Sequence, residues 1–217
     1  YRYKDMDPNV WNSICEEMLN MIFSLHRPKE FVFDGSFPYR GMLNAIKSQE
    51  DSMLKVWLRR GSIRPGSREI PVDSVKNFHA IIRPGDSVGI DSEDELDHGV
   101  SLVRCNPILL MEPEELASKG SLRKRLGIPK EALLCYVQLG AGKINDINSE
   151  ISLVLNALSQ HPKVYVIVGE SMLGERISSE FERVRILRDY PNSRYFSDFD
   201  FAVMAGGYNS FHEAIQA

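Results

Sequence analysis

"FDFAVMAGGYNSFHEAI", Phe199 to Ile215, runs a short apolar segment into two glycines, then into small polar residues and a helix-forming stretch with one carboxylate. An apolar run cut off by Gly-Gly and followed by helical spacing reads as strand, tight turn and helix. Two uses fit so abrupt an opening: a structural turn, or a pocket for a phosphorylated or ribose-bearing ligand. The second is chemically available because glycines let backbone amides approach phosphate oxygens and the first turn of a helix carries amides with no partner of their own. The same grammar stands upstream in "LLCYVQLGAGKIND", Leu133 to Asp146, followed by a helix in "SEISLVLNALSQHP" and strands in "KVYVIVGES" and "VRILRDYP", with a helical piece between those two. Strands that alternate with helices predict a parallel sheet covered on its faces.

The first half repeats the pattern. "DPNVWNSICEEMLNMIFSLHRP" starts with Asp7-Pro8 and places Trp11, Ile14, Met18 and Ile22 at helical spacing, which predicts an amphipathic helix ending before Pro28. "EFVFDGSFPYRGMLNAI" predicts a strand ending at Asp34-Gly35, a turn through Pro38, and a helix from about Gly41 to Lys47. "KVWLRR", "HAIIRPGD" and "VSLVRCNPI" predict three more strands, and "DSEDELD" reads as a solvated acidic loop. From Asn106 to Lys130 the chain has several prolines, a charged helix beginning near Glu112 and no strand, which reads as a connection. The expected organisation is α/β, with two Rossmann-like, doubly wound units: residues 1–106, a connection over 107–130, and residues 131–217.

Composition limits the function. At 217 residues and 43% hydrophobic the chain can bury a sizeable core, and a net charge of −4 disfavours a general nucleic-acid binder. The basic cluster "WLRRGSIRPGSR", Trp57 to Arg68, reads as a solvated loop before an anion site. Cys15, Cys105 and Cys135 are odd in number and lack metal-ligand spacing, so neither a disulfide framework nor a zinc site is indicated and a cytoplasmic location is expected. No apolar stretch has the length of a membrane span, and no signal peptide is read at the start. The chain starts without Met and stops inside a helical pattern, so both ends read as cut, and both units as truncated.

In an open parallel sheet ligands gather beyond the carboxyl ends of the strands. Gly140 and Gly142 follow such a strand with G-x-G spacing, Asn145 and Asp146 are available as caps, and Lys143 has the reach for an anion. This is neither a Walker loop nor the full dinucleotide fingerprint, and a plain turn is its alternative. Gly206, Gly207, Tyr208 and Asn209 present amides toward the same edge if the helix begins near Asn209 or Ser210, which puts Glu213 one turn in. A carboxylate there offers two acceptor oxygens to the vicinal diol of a ribose; its plainer role is to stabilise the helix dipole. His212 points elsewhere on the helix and reads as a surface residue.

"VQLGAGKIND", "VYVIVGE", "RILRDYP" and "FDFAVMAGGYNSFHE", in that order and spacing, resemble the donor-binding domain of GT-B glycosyltransferases, in particular the family 28 group containing the bacterial peptidoglycan N-acetylglucosaminyltransferase. The resemblance is closest from Leu134 to Glu213 and looser before it, where "FVFDGSFPYRGMLNAI" and "VSLVRCNPI" are similar to acceptor-side and interdomain elements. It implies two Rossmann-like domains facing a cleft. It also implies donor binding by Gly140, Ala141, Gly142, Lys143, Gly206, Gly207, Tyr208, Asn209 and Ser210, with Glu213 on the ribose and backbone around Arg188 and Asp189 on the uracil edge. Gly35, Ser36, Pro38 and Arg40 would line the acceptor side.

The activity so implied is inverting transfer from a UDP-sugar to an acceptor hydroxyl of a glycan, lipid or small molecule. No DxD-like pair ends a strand, so helix N-termini, backbone amides and Lys143 or Arg188 are expected to meet the leaving diphosphate, without a metal or other cofactor. Asp34 is the candidate base, against a plain role in an Asp-Gly turn. Peripheral membrane association fits a lipid acceptor. A GT-B-shaped sugar-nucleotide 2-epimerase and a non-catalytic binding module are the alternatives.

Overall fold

The computed structural model describes residues 6–35, 37–49, 53–59, 72–85, 96–97, 99–140, 147–170, 172 and 176–217. The chain divides into two compact units, Tyr1–Ile108 and Leu109–Ala217. Both are α/β, and each sheet holds four parallel strands.

In the first unit, α1 (Pro8–His26), β1 (Glu30–Asp34), α2 (Arg40–Lys47), β2 (Leu54–Leu58), α3 (Val72–Val75), β3 (Ala80–Pro84), β4 (Leu96–Asp97) and β5 (Val100–Cys105) follow in order. The sheet order is β1-β2-β3-β5-β4. Only β4 runs antiparallel, with Leu96 opposite Ser101, so the end of the expected acidic loop is a short edge strand. The core centres on Trp57, fully buried, with Phe78 and Phe33 at ring distances of 5.3 and 5.9 Å. The indole N–H is satisfied by donating to the Gly35 carbonyl at 2.8 Å, which ties the end of β1 to β2.

α1 starts where the sequence places it: the Asp7 carboxylate accepts the Asn9 amide at 2.8 Å and Pro8 occupies the first turn. α1 and α2 approach closely at Gly41, where a Cβ would stand 1.9 Å from the Asn12 carbonyl oxygen. The Gly41 amide donates to the Asn12 side chain at 2.9 Å. The stripe Trp11, Ile14, Met18 and Ile22 faces outward, with 37 to 54% of each exposed, and Phe23 is the buried residue of the helix. Together with Phe31, Tyr39 and Met42 the stripe lines an apolar groove of about 300 Å³.

The second unit contains α4 (Ser121–Leu126), β6 (Leu133–Gln138), α5 (Ile147–Ser159), β7 (Val164–Gly169), β8 (Val184–Leu187), β9 (Phe201–Met204) and α6 (Tyr208–Gln216), with 3-10 turns at Pro113–Glu115 and Asn192–Asp198. Residues 109–130, read from sequence as a connection, belong to this unit: Leu122 and Ile128 are buried in its core. The charged helix expected from Glu112 is a single 3-10 turn closed by a capping box between Glu112 and Glu115. α4 forms later, and its N-terminus is capped from far along the chain. Buried Asp198 accepts the Gly120 amide and, at 2.6 Å, the Leu122 amide. Gly127, left-handed at φ 65°, ends it. No described residue between β7 and β8 is helical, in contrast to the expected helical piece.

The sheet order β8-β7-β6-β9 is parallel throughout. Alternation along β6 sends Cys135 and Val137 into a cluster with Ile151 and Leu155 of α5, while Leu134 and Tyr136 enter a second cluster with Leu122, Tyr195, Phe196 and Ala214 of α6. Both faces of the sheet are therefore covered, α5 on one and α4, the 3-10 turn and α6 on the other. Among the described residues, no helix is long and apolar enough to cross a membrane.

Candidate functional site

Starting at β6, the chain moves through α5 to β7 and on to β8, away from one side of β6. It then returns to lay β9 against the opposite side, with α6 on the face that α5 does not cover. The winding direction reverses between β6 and β9. At such a switch point the two loops diverge to opposite faces and leave a crevice at the carboxyl ends, the position where open α/β sheets take ligands. Gln138 pairs with Met204 in register, and the Ala205 amide donates to the Gln138 carbonyl at 3.1 Å, so the two loops leave the sheet side by side.

Both openings require glycine. Gly140 has φ 106° and Gly206 has φ 69°, left-handed conformations that other residues adopt only under strain. Gly207 is the N-cap of α6 and has no side chain to satisfy the first-turn amides; the Phe211 amide is the one that closes on the Gly207 carbonyl, at 3.0 Å. A helix N-terminus at a switch point, with glycine as its N-cap, turns the positive end of its dipole toward the carboxyl edge. Gly140 and the stretch Gly206, Gly207, Tyr208, Asn209, Ser210 thus share one edge of one sheet. Ala141, Gly142 and Lys143, with Asn145 and Asp146, lie outside the described residues.

Glu213 stands in the second turn of α6, half-buried. Its carboxylate accepts the Leu110 amide at 3.4 Å and a hydrogen bond from Ser193, and no cation pairs with it among the described residues. Burial pushes its carboxyl above the ordinary glutamate range, ahead of the two hydrogen bonds, which oppose the shift. It lines a cavity of about 10 Å³ with Met111, Leu116, Ser193 and Gln216. His212, expected at the surface, is 3% exposed: its ring lies 4.4 Å from Tyr208 and 5.3 Å from Phe211, so α6 buries the side next to Glu213.

Arg188 and Asp189 follow the end of β8, and their side chains are engaged. Arg188 donates through Nε and Nη2 to the Glu170 carboxylate at 2.7 and 3.2 Å, and through Nη2 to the Ile177 carbonyl at 3.0 Å. Glu170, the first residue beyond β7, is 5% exposed, and the Arg188 hydrogen bond followed by the Ile177 amide holds its carboxyl below the usual range. Asp189 accepts from the Tyr195 hydroxyl and from Arg125, each at 2.5 Å, and the Tyr195 hydrogen bond, followed by that of Arg125, lowers its carboxyl in turn. Arg188 remains half-exposed on the carboxyl edge.

Sequence reading missed a polar chain beneath this edge. Tyr136, buried within β6, carries its hydroxyl past Gly169 at the end of β7, where a Cβ would stand 2.1 Å from the phenolic oxygen. The hydroxyl donates to Gln138 Oε1 at 3.1 Å and accepts from Asn192 Nδ2 at 3.4 Å. Burial pushes the phenol up to about 12, with the Glu213 charge nearby adding to the rise. The glycine ending "VYVIVG" was the one available signal, since a strand-terminal glycine marks a close approach.

In the first unit, Asp34 and Gly35 stand at the carboxyl end of edge strand β1; Asp34 is exposed, while Gly35 is fixed through its carbonyl to Trp57. Pro38 and Arg40 lead into α2, with Arg40 exposed in its first turn. Ser36 lies outside the described residues. Of the basic cluster, Arg59 is described: it is buried, with its guanidinium 5.3 Å from the Trp57 ring centroid, and is no solvated loop residue. Among the described residues, no three His, Cys, Asp or Glu side chains group as metal ligands.

No protein family model matches this sequence, and no curated protein matches it.

Proposed function

We propose that the second unit binds the nucleoside diphosphate of a UDP-sugar across the carboxyl edge of its sheet, and that the protein passes the sugar to an acceptor hydroxyl with inversion and without a metal. The observation that carries this reading is the switch point between β6 and β9, flanked by left-handed glycines and a helix start whose N-cap is glycine. The first-turn amides of α6 and the Gly140 loop, with Lys143, would neutralise the diphosphate as it departs, a form of charge stabilisation that needs no reorganisation during the reaction. Glu213, ionised, would accept both ribose hydroxyls. Backbone after β8, at Arg188 and Asp189, would meet the base. Transfer also needs a base on the acceptor hydroxyl, and Asp34 at the end of β1 is the residue we assign; Gly35, Ser36, Pro38 and Arg40 would shape the acceptor side.

Family-level resemblance of "VQLGAGKIND" and "FDFAVMAGGYNSFHE" to GT-B donor domains supports the transferase reading over a generic nucleotide binder. Three unpaired cysteines suit a cytoplasmic location. Calorimetric titration with UDP tests the donor site: binding should weaken at least tenfold in Glu213→Ala, and undiminished binding would remove the ribose assignment. Turnover of a UDP-sugar with and without acceptors tests the reaction. Acceptor-dependent release of UDP supports transfer, whereas acceptor-independent release with an epimerised sugar, or no turnover at all, refutes it.

A further inference from the structure

The polar chain Asn192, Tyr136, Gln138 has a direction, and the direction has a chemical result. A phenol has one proton to give. Here Asn192 Nδ2 donates to the phenol, the phenol donates to Gln138 Oε1, and Asn192 Oδ1 is left without a partner. Gln138 Oε1 is therefore held inward as an acceptor, and its Nε2 is turned away from Tyr136. Tyr136 cannot drift to release it, because its ring is wedged between Phe196 and Phe199, at 4.9 and 5.0 Å, and passes directly over Gly169.

Gln138 is the last residue of β6, opposite Met204 of β9 and two residues before Gly140. Its side chain lies on the sheet face that α6 covers, as alternation with Tyr136 requires. The residue that carries this amide ends β6 in register with the end of β9, at the carboxyl edge where the winding direction reverses.

We propose that Gln138 is a ligand-binding residue whose Nε2 donates to the diphosphate of the bound nucleotide, and that Tyr136 is the positioning residue that orients it. This rests on the donor-site reading given above and adds two residues to it. A fixed donor adds a hydrogen bond to a charged oxygen without the rotamer cost of ordering a free glutamine on binding.

Titrations of UDP and uridine against the wild type, Gln138→Ala, Gln138→Glu, Tyr136→Phe, the Tyr136→Phe/Gln138→Ala double variant and Glu213→Ala separate the possibilities. Gln138→Ala should weaken UDP on the order of tenfold, the size of one hydrogen bond to a charged oxygen, and leave uridine unchanged. Gln138→Glu, which replaces the donor with a second negative charge, should weaken UDP further. Tyr136→Phe should weaken UDP severalfold alone and not at all when added to Gln138→Ala, an outcome that a merely structural tyrosine would not give. Wild-type binding with a loss in Glu213→Ala but none in the Gln138 variants overturns this inference and leaves the donor site standing. Equal losses for UDP and uridine in Gln138→Ala overturn the diphosphate assignment. Absence of UDP binding to the wild type overturns the donor site itself.

Discussion

Gly169→Ala is a one-methyl change whose effect follows from a single crossing of side chain over backbone. The added Cβ would stand 2.1 Å from the Tyr136 hydroxyl oxygen, 2.6 Å from Cζ and 2.8 Å from Cε2. Carbon and oxygen do not approach so closely, and the phenol has no empty space to enter, since Phe196 and Phe199 hold its ring. Overpacking of this kind costs about 1–3 kcal/mol. Displacing the hydroxyl also breaks its contacts with Gln138 and Asn192, at about 1 kcal/mol for each hydrogen bond. Against this, replacing glycine by alanine lowers the entropy of the unfolded chain, a gain of about 0.4–1 kcal/mol. The net expectation is a loss of about 2–4 kcal/mol. Urea unfolding followed by far-UV circular dichroism reads it; tryptophan emission would not, because Trp11 and Trp57 both lie in the first unit. Tyr136→Phe in the same background should rescue only part of the loss, because it removes the contact to oxygen and leaves the contact to Cζ. A Gly169→Ala protein within about 0.5 kcal/mol of wild type would refute the packing argument.

Two glutamates at the carboxyl edge should shape stability against pH in opposite senses. Burial raises Glu213, so the folded protein keeps that proton longer than the unfolded chain, and stability falls as pH rises from the ordinary glutamate range to the raised value. Glu213→Gln should flatten that fall and be the more stable protein at neutral pH. Glu170 is held down by Arg188, so its contribution is complete above the ordinary range and disappears as pH falls through the depressed value. Glu170→Gln should therefore be less stable at pH 7 and converge with wild type in acid; parallel urea titrations across pH 3–8 check both signs. Leu122→Ala, at a fully buried position of α4, should destabilise the second unit by about 2–5 kcal/mol in the same urea assay. An effect under about 1 kcal/mol would mean that α4 is not part of that core.

Elements whose signal is local were legible. β6, β9 and α6 announce themselves through an apolar run, a glycine and a return of helical spacing, and Asp7-Pro8 marks the start of α1. Strand order was not written in any local pattern. That β9 lies against β6 and not beside β8 follows from long-range packing, and the switch point exists only in that order. Glu213 was readable as one turn into a helix, yet its partners Leu110 and Ser193 come from other segments. Helical periodicity also told which side of α1 is apolar without telling whether anything covers it, and Trp11, Ile14, Met18 and Ile22 stay outside. At Glu112 the charge pattern suggested a helix, but Pro113 and the capping box yield one 3-10 turn, and the real α-helix waits for the amides that Asp198 caps. The relay through Tyr136 escaped notice because a tyrosine in an apolar strand looks like core until its hydroxyl is followed to its partners.

The cysteines offer an experimental handle of a different kind. Cys135 is wholly enclosed in the second unit, its thiol pushed up to about 12 by burial, so an alkylating reagent meets a protonated and inaccessible sulfur while that unit stays folded. Cys105, at the end of β5, stands exposed in the first unit. Modification of one sulfur at once and of the other only during unfolding would turn a native pair of residues into a label for each half of the chain, timing the loss of one half without an added probe.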